Sequence, residues 1–482
     1  MGKFNTITLI SFLGFIVSIG LFKSHQVKTE NQYLLAERKT KLFALIATLV
    51  MTEFNTSTLI AFSSAGYYAS WWALTLPLVF LFGLLFYALT VAKKWKEFNG
   101  ISVAYYFAVR YGRDIGMLVS IILFLSMVGF SATYIKSLNL VISPLFPHTN
   151  PWILSGILTA VILLMTWRGG LTSIIRTDII SFIIILFFFP ILLFYVYHSS
   201  SVQPGKQMTL LQMQHALPPR FVISLIFLTM FSYILAPWYG QKVISAESPR
   251  IATKAVIIAA LLIFVLYAMG IAAVSLLAGK GVELAEPEQA LPFIIKNVLP
   301  ISWQGVSYVV LFLVAATTLS GVWSAMVTLL IGHHGNHSER TEKYRLHRSL
   351  TLTIICALLS YILANVFIDQ IFNKMILANI PIVALSFALL AGFYWKKTSR
   401  IGVYISVTVG LIWGTGCYLI YGNAGLYTWY WALYGIPLIF LAGMIGSILH
   451  PELYPAKEYI ITKKTLNPVR IAHIDTPCAE DK

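Results

Sequence analysis

A short polar stretch interrupts one of the most apolar segments of the chain. Residues 51–58 read Met-Thr-Glu-Phe-Asn-Thr-Ser-Thr, and six of these eight side chains are polar. A carboxylate in the middle of a membrane costs about 2.5 to 3.5 kcal/mol to insert, so it normally pairs, binds a cation or takes up a proton. Glu53 is therefore the first candidate for cation or proton binding. The alternative is a protonated acid that is hydrogen-bonded within a helix bundle.

Asp178 is the second acid inside an apolar segment. It lies near the start of its segment, and Arg168 and Arg176 are close enough in sequence to pair with it at a membrane edge. A coupling role and a plain ion pair therefore both stay open for Asp178.

A row of hydroxyl side chains follows a later apolar segment. Its members recur every three or four residues and fall on one face of a helix: Thr317, Ser320, Ser324 and Thr328. Such a row can supply oxygen ligands to a hard monovalent cation. It can equally serve as a surface for helix packing, where hydroxyl residues are common in membranes.

The composition of the chain requires a membrane protein. Of its 482 residues, 58% are hydrophobic and 11% are charged, and the mean hydropathy is +0.80. A water-soluble domain carries roughly 25% charged residues. The net charge of +16 is spread over short loops, which argues against a nucleic-acid partner. No phosphate loop, nucleophile elbow or zinc motif is found, and the three cysteines are far apart, so we predict neither an enzyme nor a bound cofactor.

The apolar runs predict thirteen membrane-spanning helices, numbered here as spans one to thirteen. Their approximate ranges are 5–22, 41–70, 72–92, 115–140, 151–167, 171–196, 219–241, 252–279, 304–331, 349–368, 372–395, 401–421 and 427–449. We predict one transmembrane domain over residues 1–450 and a short basic cytoplasmic tail over residues 451–482.

The basic residues predict the orientation of the chain in the membrane. Loops after odd-numbered spans are rich in Lys and Arg, as in the loop predicted after span seven with Lys242, Arg250 and Lys254. Because positive loops stay in the cytoplasm, the N-terminus is predicted outside and the C-terminus inside. The expected location is a bacterial inner membrane, with the lipid bilayer as the surrounding partner.

Span two does not read as a continuous helix facing lipid. In hydrocarbon, unwound backbone survives only where it lines a cavity or is buried in protein, and secondary transporters bind ions and solutes at such breaks. The polar stretch at residues 51–58 therefore predicts a broken helix. Pro237 in span seven indicates either a second break or a simple helix end.

Five short motifs, in this order along the chain, resemble the sodium:solute symporter family, which includes sugar, proline, pantothenate and sialic acid transporters. Residues 33–38 resemble its aromatic-Leu-Ala-Gly-Arg stretch, and residues 63–67 its first broken helix. Residues 108–112 resemble its Arg-Tyr-Gly loop. Residues 167–171 and 177–178 resemble its Gly-Gly-Leu to Thr-Asp passage.

The resemblance implies an all-α membrane fold with a five-plus-five inverted-repeat (LeuT-like) core and broken helices. The repeats would cover spans two to six and seven to eleven, about residues 41–196 and 219–395. By position, a sodium site would use carbonyls of Met51 and Phe54 together with Thr317, Ser320 and Gly321. The family commonly has a second hydroxyl where this chain has Gly321, whereas Thr317 replaces a usual alanine. This exchange can conserve the ligand count.

The resemblance also implies roles for the two acids. Glu53 matches a position that is Asp or Asn in relatives, so it either neutralises bound Na⁺ or titrates and makes the chain coupled to H⁺. Asp178 matches an acid on the family's sodium exit route.

The solute would lie between the broken helices of spans two and seven. The residues implied as solute contacts are Asn55, Ser57, Thr58, Tyr233, Trp238 and Gln241. The function implied is secondary active symport of a small organic solute, and a single chain can suffice for it. A solute sensor without a catalytic module and a channel are the alternatives, although no filter motif supports the channel.

Overall fold

The computed structural model describes residues 29–98, 100–166, 170–199, 208–332, 342–422 and 427–451, besides residues 7, 11, 12 and 14. Within these ranges the chain is helical, and β pairing is limited to an isolated bridge between Thr40 and Ala246. The all-α prediction is confirmed. Most of predicted span one and nearly all of the predicted tail at 451–482 lie outside the described residues, so the count of thirteen stays a prediction.

The described helices follow predicted spans two to thirteen. Eight of them are long and apolar enough to cross a membrane. Two bent helix pairs are also long and apolar enough when each pair is taken together: Leu42–Glu53 with Thr56–Thr75, and Leu210–Ala216 with Pro219–Tyr233. In chain order the helices are Leu42–Glu53 and Thr56–Ala69 (span two), Leu78–Thr90 (three), Arg113–Ile142 (four), Pro151–Thr166 (five), Gly170–His198 (six), Pro219–Tyr233 and Pro237–Ser245 (seven), Pro249–Gly279 (eight), Ile301–Gly332 (nine), Glu342–Val366 (ten), Ile371–Tyr394 (eleven), Arg400–Tyr421 (twelve) and Tyr427–Leu449 (thirteen). Shorter helices connect them: Glu30–Leu35, Ala92–Glu97, Val103–Tyr111, Leu210–Ala216 and Ala290–Phe293.

Span nine is the central helix of the bundle. Every residue of its most apolar 18-residue stretch is buried, as expected for a helix that is hydrophobic on all sides. It packs against spans two, four, six and ten and against the second helix of span seven. The hydroxyl row of span nine therefore faces protein on all sides.

Span two is broken between Glu53 and Thr56, and its two helices meet at an angle of 62°. The break begins where Phe54 leaves the helical conformation, with φ −75° and ψ 93°. Asn55 then caps the second helix, because its Oδ1 accepts a hydrogen bond from the Thr58 backbone N–H at 2.8 Å. The predicted break is therefore present, and the asparagine of the polar stretch explains where it falls.

One tyrosine of span eight satisfies the backbone groups that the break sets free. The Tyr267 hydroxyl donates to the Glu53 carbonyl oxygen at 2.8 Å and accepts from the Asn55 backbone N–H at 3.1 Å. The Asn55 side-chain amide also donates to the Glu53 carbonyl oxygen, at 2.9 Å. Because unpaired backbone groups are very costly in hydrocarbon, these bonds permit an unwound backbone inside the bundle.

Span seven is also broken. Its first helix ends at Tyr233, and Pro237 occupies the first turn of a second helix that runs to Ser245. The Trp95 indole N–H donates to the Ile234 carbonyl oxygen at 3.0 Å, which satisfies one group at the break. Pro237 therefore marks a break and not the end of the span. The second helix extends beyond the predicted end at residue 241 and includes Lys242.

Tyr267→Phe should destabilise the broken span. The variant removes the partner of one buried N–H and weakens the pairing of one buried carbonyl, a loss of about 1–3 kcal/mol. We expect the purified protein in detergent to melt a few degrees lower than the unaltered protein in a thermal-shift assay.

Tyr87→Phe is the matched control for this prediction. Tyr87 is as completely buried as Tyr267, but its hydroxyl has no hydrogen-bond partner among the described residues. Its removal should leave the melting temperature unchanged or raise it. Equal melting temperatures for the two variants would show that Tyr267 does not brace the break.

Candidate functional site

The breaks of spans two and seven meet at Glu53. Its side chain is buried, and its Oε1 accepts a hydrogen bond from the Tyr233 hydroxyl at the end of the first helix of span seven. The second carboxyl oxygen, Oε2, is buried and has no hydrogen-bond partner among the described residues. A buried polar atom without a partner is rare in folded proteins. Glu53 is thus oriented by one broken helix and keeps one oxygen available.

Glu53 lines a small cavity between spans two, three, four, seven and eleven. The cavity has a volume of about 50 Å³, which is room for a few water molecules. Its lining residues are Glu53, Asn55, Thr58, Phe62, Val79, Phe80, Phe130, Tyr134, Leu225, Thr229, Tyr233, Trp238, Phe372, Met375, Ile376 and Asn379. The lining contains one acid, no Lys, Arg or His, and many aromatic rings.

Aromatic rings pack around the cavity in a continuous cluster. The Phe80 ring stacks on the Tyr267 ring with centroids 5.2 Å apart and meets the Tyr233 ring edge-on at 5.8 Å. On the opposite side, the Trp238 ring meets the Phe130 ring at 5.2 Å. Large apolar walls around a few polar groups are typical of small-molecule sites.

Four of the six residues predicted to contact solute line this cavity, namely Asn55, Thr58, Tyr233 and Trp238. Ser57 and Gln241 do not line it. Ser57 Oγ donates to Ser137 Oγ at 3.1 Å in span four. The Gln241 amide donates to the Leu34 carbonyl oxygen at 2.7 Å and to Ser324 Oγ at 3.1 Å.

Sequence reasoning missed the contribution of spans three, four and eleven to the cavity, and Val79 and Phe80 come from span three. Phe130 and Tyr134 come from span four, and Phe372, Met375 and Asn379 come from span eleven. Asn379 is an amide within an apolar run, and this was the available signal. The aromatic residues gave no signal, because aromatic side chains occur throughout these spans.

The residues implied as a sodium site bring spans two and nine together. The Met51 carbonyl oxygen has lost its usual partner at residue 55 and lies 3.1 Å from Thr318 Oγ1 and 3.5 Å from Thr317 Oγ1. Each of these hydroxyls has a nearer acceptor at 2.9 Å in its own helix, which is the Val314 carbonyl for Thr318 and the Leu313 carbonyl for Thr317. Ser320 Oγ donates within its own helix, to the Thr317 carbonyl oxygen at 3.0 Å. Gly321 faces span two and span seven, since an added Cβ there would lie 3.9 Å from Thr52 Oγ1 and 3.5 Å from Lys242 Nζ.

Phe54 has a packing role at the same break. Its backbone N–H donates to the Val50 carbonyl oxygen at 2.7 Å, as the last hydrogen bond of the first helix. Its ring packs against those of Tyr267 and Phe189, with centroid distances of 4.7 and 5.1 Å.

Asp178 is paired with Lys242, whereas Arg168, one of the two arginines predicted near it, lies outside the described residues. The Lys242 ammonium lies 2.9 Å from Asp178 Oδ2, and both side chains are completely buried. The Thr48 hydroxyl donates to the same carboxylate oxygen. The sequence-based placement of Lys242 in a cytoplasmic loop is wrong, because the helix that begins at Pro237 continues to Ser245 and carries the lysine into the bundle. A helix start at Pro237 was the signal that could have located Lys242.

The comparisons with known proteins agree with this architecture. The family model described as "Sodium:solute symporter family" matches residues 33–410. No curated protein sequence matches the chain.

Three solved structures illustrate the similarity of fold. A Na⁺-coupled sialic acid symporter in a substrate-bound outward-open state has a TM-score of 0.73 and 16% identity, covering 93% of this chain and 98% of its own. Mhp1, a nucleobase-cation-symport-1 family transporter in a closed conformation with bromovinylhydantoin bound, has a TM-score of 0.54 and 15% identity, covering 88% and 93%. MhsT in complex with L-phenylalanine has a TM-score of 0.50 and 15% identity, covering 84% and 98%.

The family match covers most of the chain, and the fold, the broken spans and the apolar helices agree with it. This chain therefore belongs to the sodium:solute symporter family and is a multi-pass membrane transport protein with an all-helical, LeuT-like fold.

Proposed function

We propose that this chain is a secondary active symporter that couples a cation gradient to the uptake of a small organic solute by alternating access. The observation that carries the proposal is the Glu53 carboxyl, which lines an aromatic cavity between two broken helices and has one oxygen without a hydrogen-bond partner among the described residues. Family membership supports a small-molecule solute and Na⁺ as the coupling ion. The alternative coupling ion is H⁺, which Glu53 would bind and release.

The size of the cavity supports alternating access. Pockets for small ligands usually have volumes of about 300–1,000 Å³, whereas this cavity has about 50 Å³. A solute therefore enters only when the surrounding helices move apart. The breaks at residues 54–55 and 234–236 are suitable hinges, because their backbone is not held by a continuous helical ladder.

The charge of the lining restricts the solute. Among the described residues that line the cavity, Glu53 is the one carboxylic acid, and none is a Lys, Arg or His that could pair with an anionic group. Aromatic faces attract cations and accept apolar groups. A neutral or cationic solute with an apolar body therefore fits this cavity better than an anionic solute does.

The proposed coupling role of Glu53 can be fulfilled in two ways, which differ in whether its carboxyl group takes up a proton. A deprotonated Glu53 would neutralise a bound Na⁺ or a solute ammonium near its free Oε2, whereas a protonating Glu53 would carry the coupling proton itself. Both forms require the carboxyl to change partners during transport. Its partners are the neutral side chains of Tyr233 and Trp238 and not a cation, which leaves this exchange possible.

Glu53→Gln should abolish coupling while retaining the hydrogen bond to Tyr233. We expect gradient-driven accumulation in proteoliposomes to fall at least tenfold, because a neutral amide neither compensates a cation nor releases a proton. Uptake should be measured with imposed Na⁺ and H⁺ gradients separately. Unchanged uptake with unchanged ion dependence would refute the role of Glu53, and Glu283→Gln, on an exposed loop residue, is the matched control.

A solute screen tests the proposed function as a whole. Proteoliposomes should be supplied with amino acids, sugars, organic acids and organic amines under both gradients, and we expect neutral or cationic compounds to accumulate at least tenfold above organic anions. Lack of accumulation for every class would favour a solute sensor over a transporter.

Neighbouring residues of span two provide an internal control for the cavity. Thr58 lines it and Ser57 does not, so Thr58→Val should raise the apparent KM several-fold while Ser57→Ala stays within about twofold. Equal effects of the two variants would place the solute elsewhere.

A further inference from the structure

The buried ion pair of Lys242 and Asp178 occupies the region where the family resemblance implied a sodium site. Lys242 Nζ lies 2.9 Å from Asp178 Oδ2 and 3.1 Å from the Thr48 carbonyl oxygen, and it also donates to the Thr52 hydroxyl. Thr48 and Thr52 lie on one face of the first helix of span two, next to Met51. The lysine thus binds oxygens of spans two and six from the second helix of span seven.

The three acceptors suit an ammonium. A protonated lysine has three N–H donors and no acceptor, and each of these donors has one oxygen partner here. Thr52 Oγ1 can accept from the lysine because its own hydrogen is donated to the Thr48 carbonyl oxygen at 2.6 Å. A monovalent cation coordinated by protein oxygens is therefore already present at this position.

Gly321 shows how the ammonium replaces a ligand of the implied site. A Cβ at residue 321 would lie 3.5 Å from Lys242 Nζ and 3.6 Å from its Cε, so a hydroxyl there would point into the space beside the ammonium. Span nine has a glycine at the position where the family resemblance implied a hydroxyl ligand. The ammonium of Lys242 therefore lies where a hydroxyl at residue 321 could otherwise act as a ligand of a sodium ion.

We infer that the Lys242 ammonium takes the place of the coupling Na⁺ between spans two, six and nine, and that this chain does not bind Na⁺ there. The residues present do not fit a free sodium ion. The Asp178 charge is already compensated, and a second unit charge about 4 Å from the ammonium would bind on the order of a thousandfold more weakly at the screening usual for proteins. The inference deepens the proposed symport, because its consequence for coupling rests on that function.

Sodium binding to the purified full-length protein in detergent tests the inference without a known solute. Binding of ²²Na⁺ should be measured by scintillation proximity, and thermal melting should be compared in NaCl and in choline chloride at equal ionic strength. We expect the unaltered protein to show no Na⁺ binding, and no rise in melting temperature in NaCl over choline chloride, that Asp178→Asn abolishes.

Lys242→Ala should create the sodium site that the lysine replaces. Its removal leaves the Asp178 carboxylate beside the oxygens of Thr48 and Thr52, so we expect saturable ²²Na⁺ binding and a melting temperature several degrees higher in NaCl than in choline chloride. Lys242→Ala combined with Asp178→Asn should lose this sodium response. Lys254→Ala, at an exposed position of span eight, should behave like the unaltered protein.

Saturable Na⁺ binding by the unaltered protein that Asp178→Asn abolishes would overturn the inference, as would a folded Lys242→Ala protein without any sodium response. If Lys242→Ala fails to fold, comparing Na⁺ binding by the unaltered protein and by Asp178→Asn still tests whether Na⁺ binds at Asp178. Sodium binding that is lost in Glu53→Gln but kept in Asp178→Asn supports the inference and places the ion at the cavity. If the inference is overturned, the proposed symport still stands, because a sodium ion bound at Asp178 could itself be the coupling ion. The proposed symport is tested separately by the solute screen.

Discussion

The hydrogen bonding of the break in span two is the constraint on which the rest of the structure depends. A membrane helix cannot open in hydrocarbon unless each freed backbone group finds a partner. Here Asn55 caps the second helix, and the Tyr267 hydroxyl bridges the Glu53 carbonyl and the Asn55 N–H. This local arrangement directs the Glu53 side chain toward the cavity and frees the Met51 carbonyl toward span nine.

The first helix of span two separates two charged sites. Thr48 and Thr52 lie one turn apart and face the Lys242–Asp178 pair, whereas Glu53 is rotated by about 100° and faces the cavity. The same short helix therefore carries the solute-facing acid and two oxygen partners of the internal ammonium. A movement of this helix would affect both sites together.

The sequence was sufficient to predict the helical class, the broken span two and the burial of both acids, because polar groups are tolerated in hydrocarbon only under strict conditions. It could not predict the partner of Asp178. Lys242 follows an apolar span and resembles a loop residue, and only the helix that continues from Pro237 buries it. The direction in which the Ser57 and Gln241 side chains point depends on how each short helix is rotated after its break. No local sequence pattern specifies this rotation.

The Lys242 ammonium is covalently attached to the chain, and this restricts the place at which an ion gradient can drive transport. An ammonium on a lysine side chain cannot leave the protein, so it can stabilise one arrangement of the helices but cannot carry energy across the membrane. Removing one partner of a buried ion pair typically costs about 3–5 kcal/mol, which makes the pair a fixed structural element. Among the described residues, Glu53 and Asp178 are the buried carboxylates, and Asp178 is already paired. We therefore propose Glu53, in the cavity where the solute is proposed to bind, as the place where a coupling ion is exchanged.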